Sequence, residues 1–260
     1  MAEFEPKRET EKFQTARMVV KIGSSTITEG GTTEQPLNLG LIDNIARQCS
    51  ILHKDGVEIA VVSSGAVASG KNLLRIDEHT LRDRQVEAIF GQPALIHAWV
   101  EAFRRYDVKA GQMLLTENDL KTSPEALEKA LEEGVVIINA NDAVSFQEMR
   151  QLLVSADNDK LASFVARAVG ADTVLILTDV DGVKDTNGCV IADGSLIDEH
   201  VVFDSKSKDG TGGMKSKVGV LQELAQFQKI RGIITSPRDN IILDVARGAA
   251  TDCTIFEAKT

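Results

Sequence analysis

A three-layer α/β/α sandwich built on a mostly parallel β-sheet is the fold class that three features of the sequence predict. Short apolar, β-branched runs alternate with helical stretches along nearly the whole chain. The strands are apolar throughout instead of alternating, as suits a sheet buried on both faces. Their carboxyl ends run into small or polar loops, which is where open α/β sheets hold their ligands.

Met18 to Ile22 reads as a buried strand that delivers the small-residue loop Gly23-Ser24-Ser25. From Leu39 to Lys54 the apolar residues Leu41, Ile42, Ile45, Cys49 and Leu52 share one helical face, and Gly56 is placed to end that helix. Val57 to Val62 repeats the pattern, with Ser63-Ser64-Gly65-Ala66 as its loop and another helical stretch behind it. The periodicity of Leu81 to Tyr106 is helical, but Gly91-Gln92-Pro93 predicts a break into two helices, since proline lacks the amide that continues one. Val108 to Leu115 reads as a strand. Ser123-Pro124 starts a helix that Gly134 stops, and the strand Val135 to Ile138 empties into Asn139-Ala140-Asn141-Asp142. Asp157-Asn158-Asp159 opens a helix that Gly170 ends, and the strand Thr173 to Leu177 delivers Thr178 and Asp179. Residues 183–208 read as hairpin and loop turned at Asn187-Gly188. A helix from about residue 214, a strand at Gly232 to Thr235, a helix near Ile241 to Ala246 and a strand at Thr254 to Phe256 complete the chain.

The chain has 260 residues, enough for one large α/β domain, and carries a net charge of -10. An acidic excess argues against nucleic acid, whose phosphates are met by basic faces, and no membrane partner is implied. Cys49, Cys189 and Cys253 have no paired spacing, so a reducing, cytoplasmic setting with structural thiols is expected. Residues 1–16 are polar and charged and read as a loose N-terminal tail, without the apolar core of a signal peptide. No run approaches the roughly 20 apolar residues of a membrane span.

Most chemistry points to the loops. Asp209 to Lys217 packs three glycines, a threonine and two lysines against a helix start. Backbone amides freed by glycine, a helix N-terminus and ammonium groups are what a polyphosphate needs, although a solvated surface turn has the same composition. No Walker A sequence and no Gly-x-Gly-x-x-Gly after a strand is present. The histidines His53, His79, His97 and His200 lack metal-ligand spacing, and Ser63-Ser64-Gly65 lacks that of a nucleophile elbow. What remains is Lys21 at the end of an apolar strand, a lysine beside a glycine loop and an acidic helix start. Burying Lys21 is costly unless an anion meets it. Phosphoryl transfer without a protein nucleophile uses this equipment, because positioning and charge neutralisation do most of the catalysis.

The ordered set Val20-Lys21-Ile22-Gly23-Ser24-Ser25, Val62-Ser63-Ser64-Gly65-Ala66, Asn139-Ala140-Asn141-Asp142, Asp157-Asn158-Asp159 and Gly210-Thr211-Gly212-Gly213-Met214 with Lys217 resembles the amino acid kinase family, most closely its glutamate-phosphorylating members. The resemblance covers about Arg17 to Phe256. It implies ATP-dependent phosphorylation of the γ-carboxylate of L-glutamate to γ-glutamyl phosphate, the first step towards proline, in one domain over residues 17–260. The part from about residue 171 would bind ATP and the part before it glutamate. Lys21 and Lys217 would neutralise the transferring phosphoryl group, with Asp159 holding both. Ser64, Gly65, Asn141, Asp142 and Asn158 would bind glutamate. Lys21, Gly23, Thr178, Asp179, Thr211, Gly212, Gly213, Met214 and Lys217 would line the ATP site. Mg²⁺ would enter with ATP, held by phosphates and water and not by a set of protein ligands. Proline as feedback inhibitor and a homodimer or homotetramer follow from the same resemblance.

Three positions depart from the family pattern. Ala140 stands where glutamate is expected, Ala156 where glycine is expected, and Lys184 where tyrosine is common. The chain ends at Thr260, so the C-terminal RNA-modification-enzyme-like domain of many bacterial members is expected to be absent. Another small-molecule kinase of this fold, and an amino-acid sensor that has lost catalysis, remain open alternatives. The loops at Ser64, Asn139 to Asp142 and Asp157 to Asp159 are neutral or acidic, which suits an amine-bearing substrate better than a phosphate-bearing one.

Overall fold

Seven of the apolar runs pair into one sheet. In the computed structural model, which describes residues 14–32, 34–74, 80–116, 119, 124–143, 158–197 and 213–258, the strands are β1 (Arg17–Ile22), β2 (Glu58–Ser63), β3 (Ala110–Leu115), β4 (Val135–Ala140), β5 (Thr173–Leu177), β6 (Arg231–Thr235) and β7 (Thr254–Phe256). Their order across the sheet is β3-β4-β2-β1-β5-β6-β7, and only β7 runs antiparallel to its neighbour. Helices α1 (Ser24–Thr28), α2 (Leu39–Lys54), α3 (Ala66–Leu74), α4 (Leu81–Arg104), α5 (Pro124–Glu133), α6 (Asn158–Ala168), α7 (Met214–Phe227) and α8 (Ile241–Arg247) connect them.

The pleat of β1 divides the core. Met18, Val20 and Ile22 face one layer with Ile42, Ile45 and Leu52 of α2, Leu95, Trp99 and Phe103 of α4, and Ile242 and Val245 of α8. Val19 faces the other with Leu127 and Leu131 of α5, Val165 of α6, and Val218, Leu221 and Leu224 of α7. Alternate residues of a strand take opposite faces. Lys21 therefore shares the Val19 face, one residue before the carboxyl end of the central strand and in register with Val62 and Ile176.

Two segments differ from the sequence expectation. Leu81 to Arg104 is one continuous helix with Pro93 inside it. Proline costs that helix a single bond to the carbonyl four residues back. The long face that buries Ala88, Leu95, Trp99 and Phe103 outweighs the loss. Trp99 also donates its indole N–H to Ser63 Oγ at 2.9 Å, which satisfies a buried donor and pins α4 beside the end of β2. Ser24 and Ser25, read as loop, open the short helix α1, with Ile27 N donating to Gly23 O and Thr28 Oγ1 to Ser24 O.

Helices α3 and α4 meet backbone to backbone. A Cβ at Gly70 would stand 1.8 Å from the Glu87 carbonyl oxygen, and one at Gly91 1.9 Å from that of Ala66. Glycine is required there for close approach, with no special backbone angle involved. The chain is also tied down ahead of β1, earlier than the expected tail boundary at residue 16: Gln14 N donates to Ala246 O at 2.8 Å, and Thr15 Oγ1 lies 2.9 Å from Thr173 Oγ1. Cys49 and Cys253 are buried and Cys189 is exposed, all as free thiols, and burial pushes Cys49 up to about 12. Among the described residues, no helix is long and apolar enough to cross a membrane.

Candidate active site

Three ends of secondary structure bring three charged groups together. Lys21 comes from the last turn of the β1 pleat, Asp159 from the first turn of α6 and Lys217 from the first turn of α7. Lys21 Nζ lies 2.6 Å from Asp159 Oδ1 and Lys217 Nζ 3.0 Å from Asp159 Oδ2. Asp159 is fully buried, and the two lysines are 4% and 9% exposed. One carboxylate thus serves two ammonium groups, leaving a formal charge of +1 in a dry place. Such a cluster is poor value for stability alone, since desolvation offsets the attraction. It is well suited to receive a further anion. Asp159 also complements the positive N-terminal end of α6.

The surroundings leave room for that anion. A Cβ at Gly23 would meet only Lys21 Nζ and Thr26 Oγ1, both at 3.8 Å, and one at Gly213 would meet nothing within 4 Å. Gly213 is the N-cap of α7 with no side-chain cap bond, and Ser216 N donates to its carbonyl at 3.0 Å, which leaves the amides ahead of Ser216 at a helix end that suits an acceptor. Backbone and lysines therefore fit a polyphosphate.

Beside this cluster lies a cleft of about 740 Å³. Ser64, Gly65, Asn139, Asp142 and Asn158 line one part of it. Asn158 Nδ2 donates to Ser64 Oγ at 2.5 Å and to Asn139 Oδ1 at 3.2 Å, while Asn139 Nδ2 donates to Gln92 Oε1 at 2.9 Å. The buried amide of Asn139 is thus satisfied on both sides and fixes Asn158. Gly65 has φ +110, and a Cβ would meet Ile27 Cγ2 at 2.8 Å, so glycine is needed for both conformation and space. Asp142 is partly open to the cleft, yet the protein packed around it lifts its carboxyl from 3.8 to about 6.

A family profile described as "Amino acid kinase family" matches residues 16–236. The chain belongs to the amino acid kinase family. Among relatives of this amino acid kinase, the "Glutamate 5-kinase" of Streptococcus thermophilus is 35% identical over 251 residues, covering 90% of this chain and 93% of that one. The protein of the same name from Lactococcus lactis subsp. lactis is 38% identical over 250 residues, covering 89% and 92%. That from Clostridium perfringens is 33% identical over 263 residues, covering 94% and 96%. The fold matches the structure described as "Crystal structure of UMP kinase from Ureaplasma parvum", with a TM-score of 0.59 at 15% identity over 94% of this chain and all of that one.

In this amino acid kinase the residues singled out in the sequence fall into distinct places. Lys21, Asp159 and Lys217 form the buried cluster, with Gly23 and Gly213 beside open space. Ser64, Gly65, Asp142 and Asn158 line the cleft, whereas Asn141 is not among its lining residues and donates its backbone N–H to Leu115 O. Thr178 is buried, with its N–H bonded to Thr235 O, and its hydroxyl donates to Asp179 Oδ1 at 3.0 Å. Asp179, expected on the ATP side, lines the same cleft as Ser64 and Asn158. Met214 is half-buried and packs against the core. Thr211, Gly212, Ala156 and Asp157 lie outside the described residues.

The cleft also has a wall that sequence reasoning did not single out. Lys71 and Asn72 of α3 and Arg84 and Glu87 of α4 line it. In the sequence these read as ordinary helix charges. No spacing marks them, because α3 and α4 present them together only through the Gly70 and Gly91 contacts.

Proposed function

We propose that this chain transfers the γ-phosphoryl group of ATP to the γ-carboxylate of L-glutamate, a phosphotransfer with a carboxyl acceptor. The observation that carries the reading is the single buried carboxylate of Asp159 shared by Lys21 and Lys217, next to a cleft of amino-acid character. The named relatives support the choice of acceptor.

A γ-carboxylate oxygen forms the new bond to phosphorus while the bond to the ADP oxygen breaks. The attacking carboxylate is already ionised at neutral pH, so no general base is required. Lys21 and Lys217 neutralise the charge spread over the transferred oxygens, and Asp159 holds them in place for it. Mg²⁺ arrives with ATP, held mainly by phosphates and water. Asp142 receives the substrate ammonium, and the Ser64-Asn158 pair orients the substrate. Proline, with an ammonium and a carboxylate of its own, is included as a competing ligand of the cleft. The activity belongs in the cytoplasm, where ATP and free glutamate meet.

An ADP-release assay with L-glutamate, N-acetylglutamate, aspartate, carbamate and uridylate tests the reading, and absence of glutamate-dependent turnover sinks it. The uridylate arm has a specific motive, because Lys71 and Arg84 stand in the cleft wall, while Glu29, Glu87, Asp142 and Asp179 in the same lining weigh against a phosphate-bearing acceptor.

The raised carboxyl of Asp142 sets a pH dependence. Below about pH 6 it is protonated in the free enzyme and cannot hold an ammonium. The kcat/KM for L-glutamate is expected to fall about tenfold per pH unit beneath that point, and Asp142→Asn to remove the inflection at the cost of a high KM. For stability the sign is opposite. Between pH 3.8 and about 6 the folded state holds more protons than the unfolded one, so stability falls as pH rises through that window.

We also place a second copy of the chain on α4. Val86, Ile89, Phe90 and Pro93 form an exposed apolar stripe, with Ile89 52% and Phe90 55% exposed. Helical spacing puts Arg82 and Glu101 at its two ends on the same face. Two such helices crossing antiparallel about a two-fold axis bring each Arg82 near the partner helix's Glu101, which within one chain pairs with Arg104 at 2.6 Å, and the stripe then supplies its own match. Phe90→Glu is expected to lower the sedimenting mass at micromolar concentration. An unchanged mass removes α4 from the assembly.

A further inference from the structure

Lys71 near the end of α3 and Arg84 near the start of α4 both line the cleft, and both are exposed within it. Neither side chain makes a hydrogen bond or ion pair with any described residue, although the Arg84 backbone N–H donates to Thr80 O at 3.2 Å. The chain around them carries 39 acidic side chains against 29 basic ones. Two cations that no described carboxylate pairs, inside a concavity that Glu29 and Glu87 also line, are open to an incoming anion. Their positions are fixed. The Thr80 and Asp83 capping box sets the first turn of α4 that carries Arg84. The Gly70 contact with the Glu87 backbone places Lys71, the next residue of α3, beside the same stretch of α4.

The Ser64–Asn158 pair offers a carboxylate few side-chain donors, although the first residues of α3, Ala66 and Val67, also line the cleft. Both amide protons of Asn158 are committed, one to Ser64 Oγ and one to Asn139 Oδ1. That leaves the Ser64 hydroxyl proton as the one donor of the pair, with the Asn158 oxygen as an acceptor. A substrate carboxylate seeks several donors and a positive charge. Lys21 and Lys217 are taken by the reacting end.

We propose that Arg84 and Lys71 read the α-carboxylate of the acceptor and so restrict it to an α-amino acid that carries a second, reacting carboxylate. This rests on the phosphoryl-transfer reading above. The γ-carboxylate faces the buried lysines, the ammonium faces Asp142, and the α-carboxylate faces the α3–α4 wall. Arg84 suits this task as a planar fork, and Lys71 adds a point charge.

Steady-state kinetics of Arg84→Gln and Lys71→Gln test it. The KM for L-glutamate is expected to rise about 10- to 100-fold in Arg84→Gln, the scale of one lost hydrogen bond to a charged group, and less in Lys71→Gln. The kcat and the KM for ATP stay near those of the unaltered enzyme. The inhibition constant of 4-aminobutyrate, which keeps the ammonium and the far carboxylate but lacks the α-carboxylate, stays unchanged in both variants. An unaltered KM for glutamate, or an equal loss of affinity for glutamate and 4-aminobutyrate, overturns the inference while leaving the phosphoryl-transfer reading intact. Absence of glutamate-dependent ADP release in the unaltered enzyme overturns both.

Discussion

Asp159→Asn is expected to lower the stability of the fold by about 3–5 kcal/mol at neutral pH, the scale on which breaking a buried ion pair destabilises a protein. The side chain is fully buried and is held at 2.6 and 3.0 Å from two lysines that are themselves almost out of water. An amide of the same shape keeps the packing but leaves two ammonium groups without their shared anion. Urea unfolding followed by circular dichroism measures the loss. The triple variant Lys21→Met, Asp159→Leu, Lys217→Met supplies the control. Apolar replacement of a whole buried ionic cluster removes the desolvation cost together with the attraction, so this variant regains most of the stability while remaining inactive. An Asp159→Asn protein as stable as the original contradicts the electrostatic account of the cluster.

Lys217→Ala is expected to reduce kcat by about 10²- to 10³-fold, the effect of losing one charge-stabilising group in a preorganised site. The KM for glutamate changes little, because the ammonium acts on the transferred phosphoryl group. The fold survives, since Lys21 and Asp159 remain as a one-to-one pair 2.6 Å apart. Lys215, two residues earlier and exposed, makes the matched control, and Lys215→Ala leaves turnover unchanged. Single-turnover measurements at saturating ATP separate chemistry from product release. Normal turnover in Lys217→Ala removes this lysine from the mechanism.

How much of this was legible in the sequence follows from how local each signal is. The strands were readable because unbroken apolar runs, as in Val135 to Ile138 or Val174 to Leu177, leave few alternatives in a chain that keeps alternating with helices. The buried cluster was readable because Lys21 sits inside such a run, and a lysine there demands an anion. The order of the strands was not readable, since β1 pairs on one side with β2, 41 positions on, and on the other with β5, 155 positions on. Gly91-Gln92-Pro93 misled because tertiary burial of Leu95, Trp99 and Phe103 overrides a local helix breaker. Lys71 and Arg84 were invisible as site residues for a related reason. Their meaning depends on which face of a helix meets which neighbour, and that is decided by where Gly70 and Gly91 let α3 and α4 touch. Asp142 was readable as a residue but not as an acid of raised pKa, because burial is a property of the whole fold.

The Gly70 and Gly91 contacts make α3 and α4 a single stiff plate. One side of that plate carries Lys71 and Arg84 into the cleft, and the other carries Ile89 and Phe90 outward. Where backbone rests on backbone at these two points, no side chain there can absorb a displacement by changing rotamer. A change in how the outer face is packed is therefore expected to carry the inner wall with it.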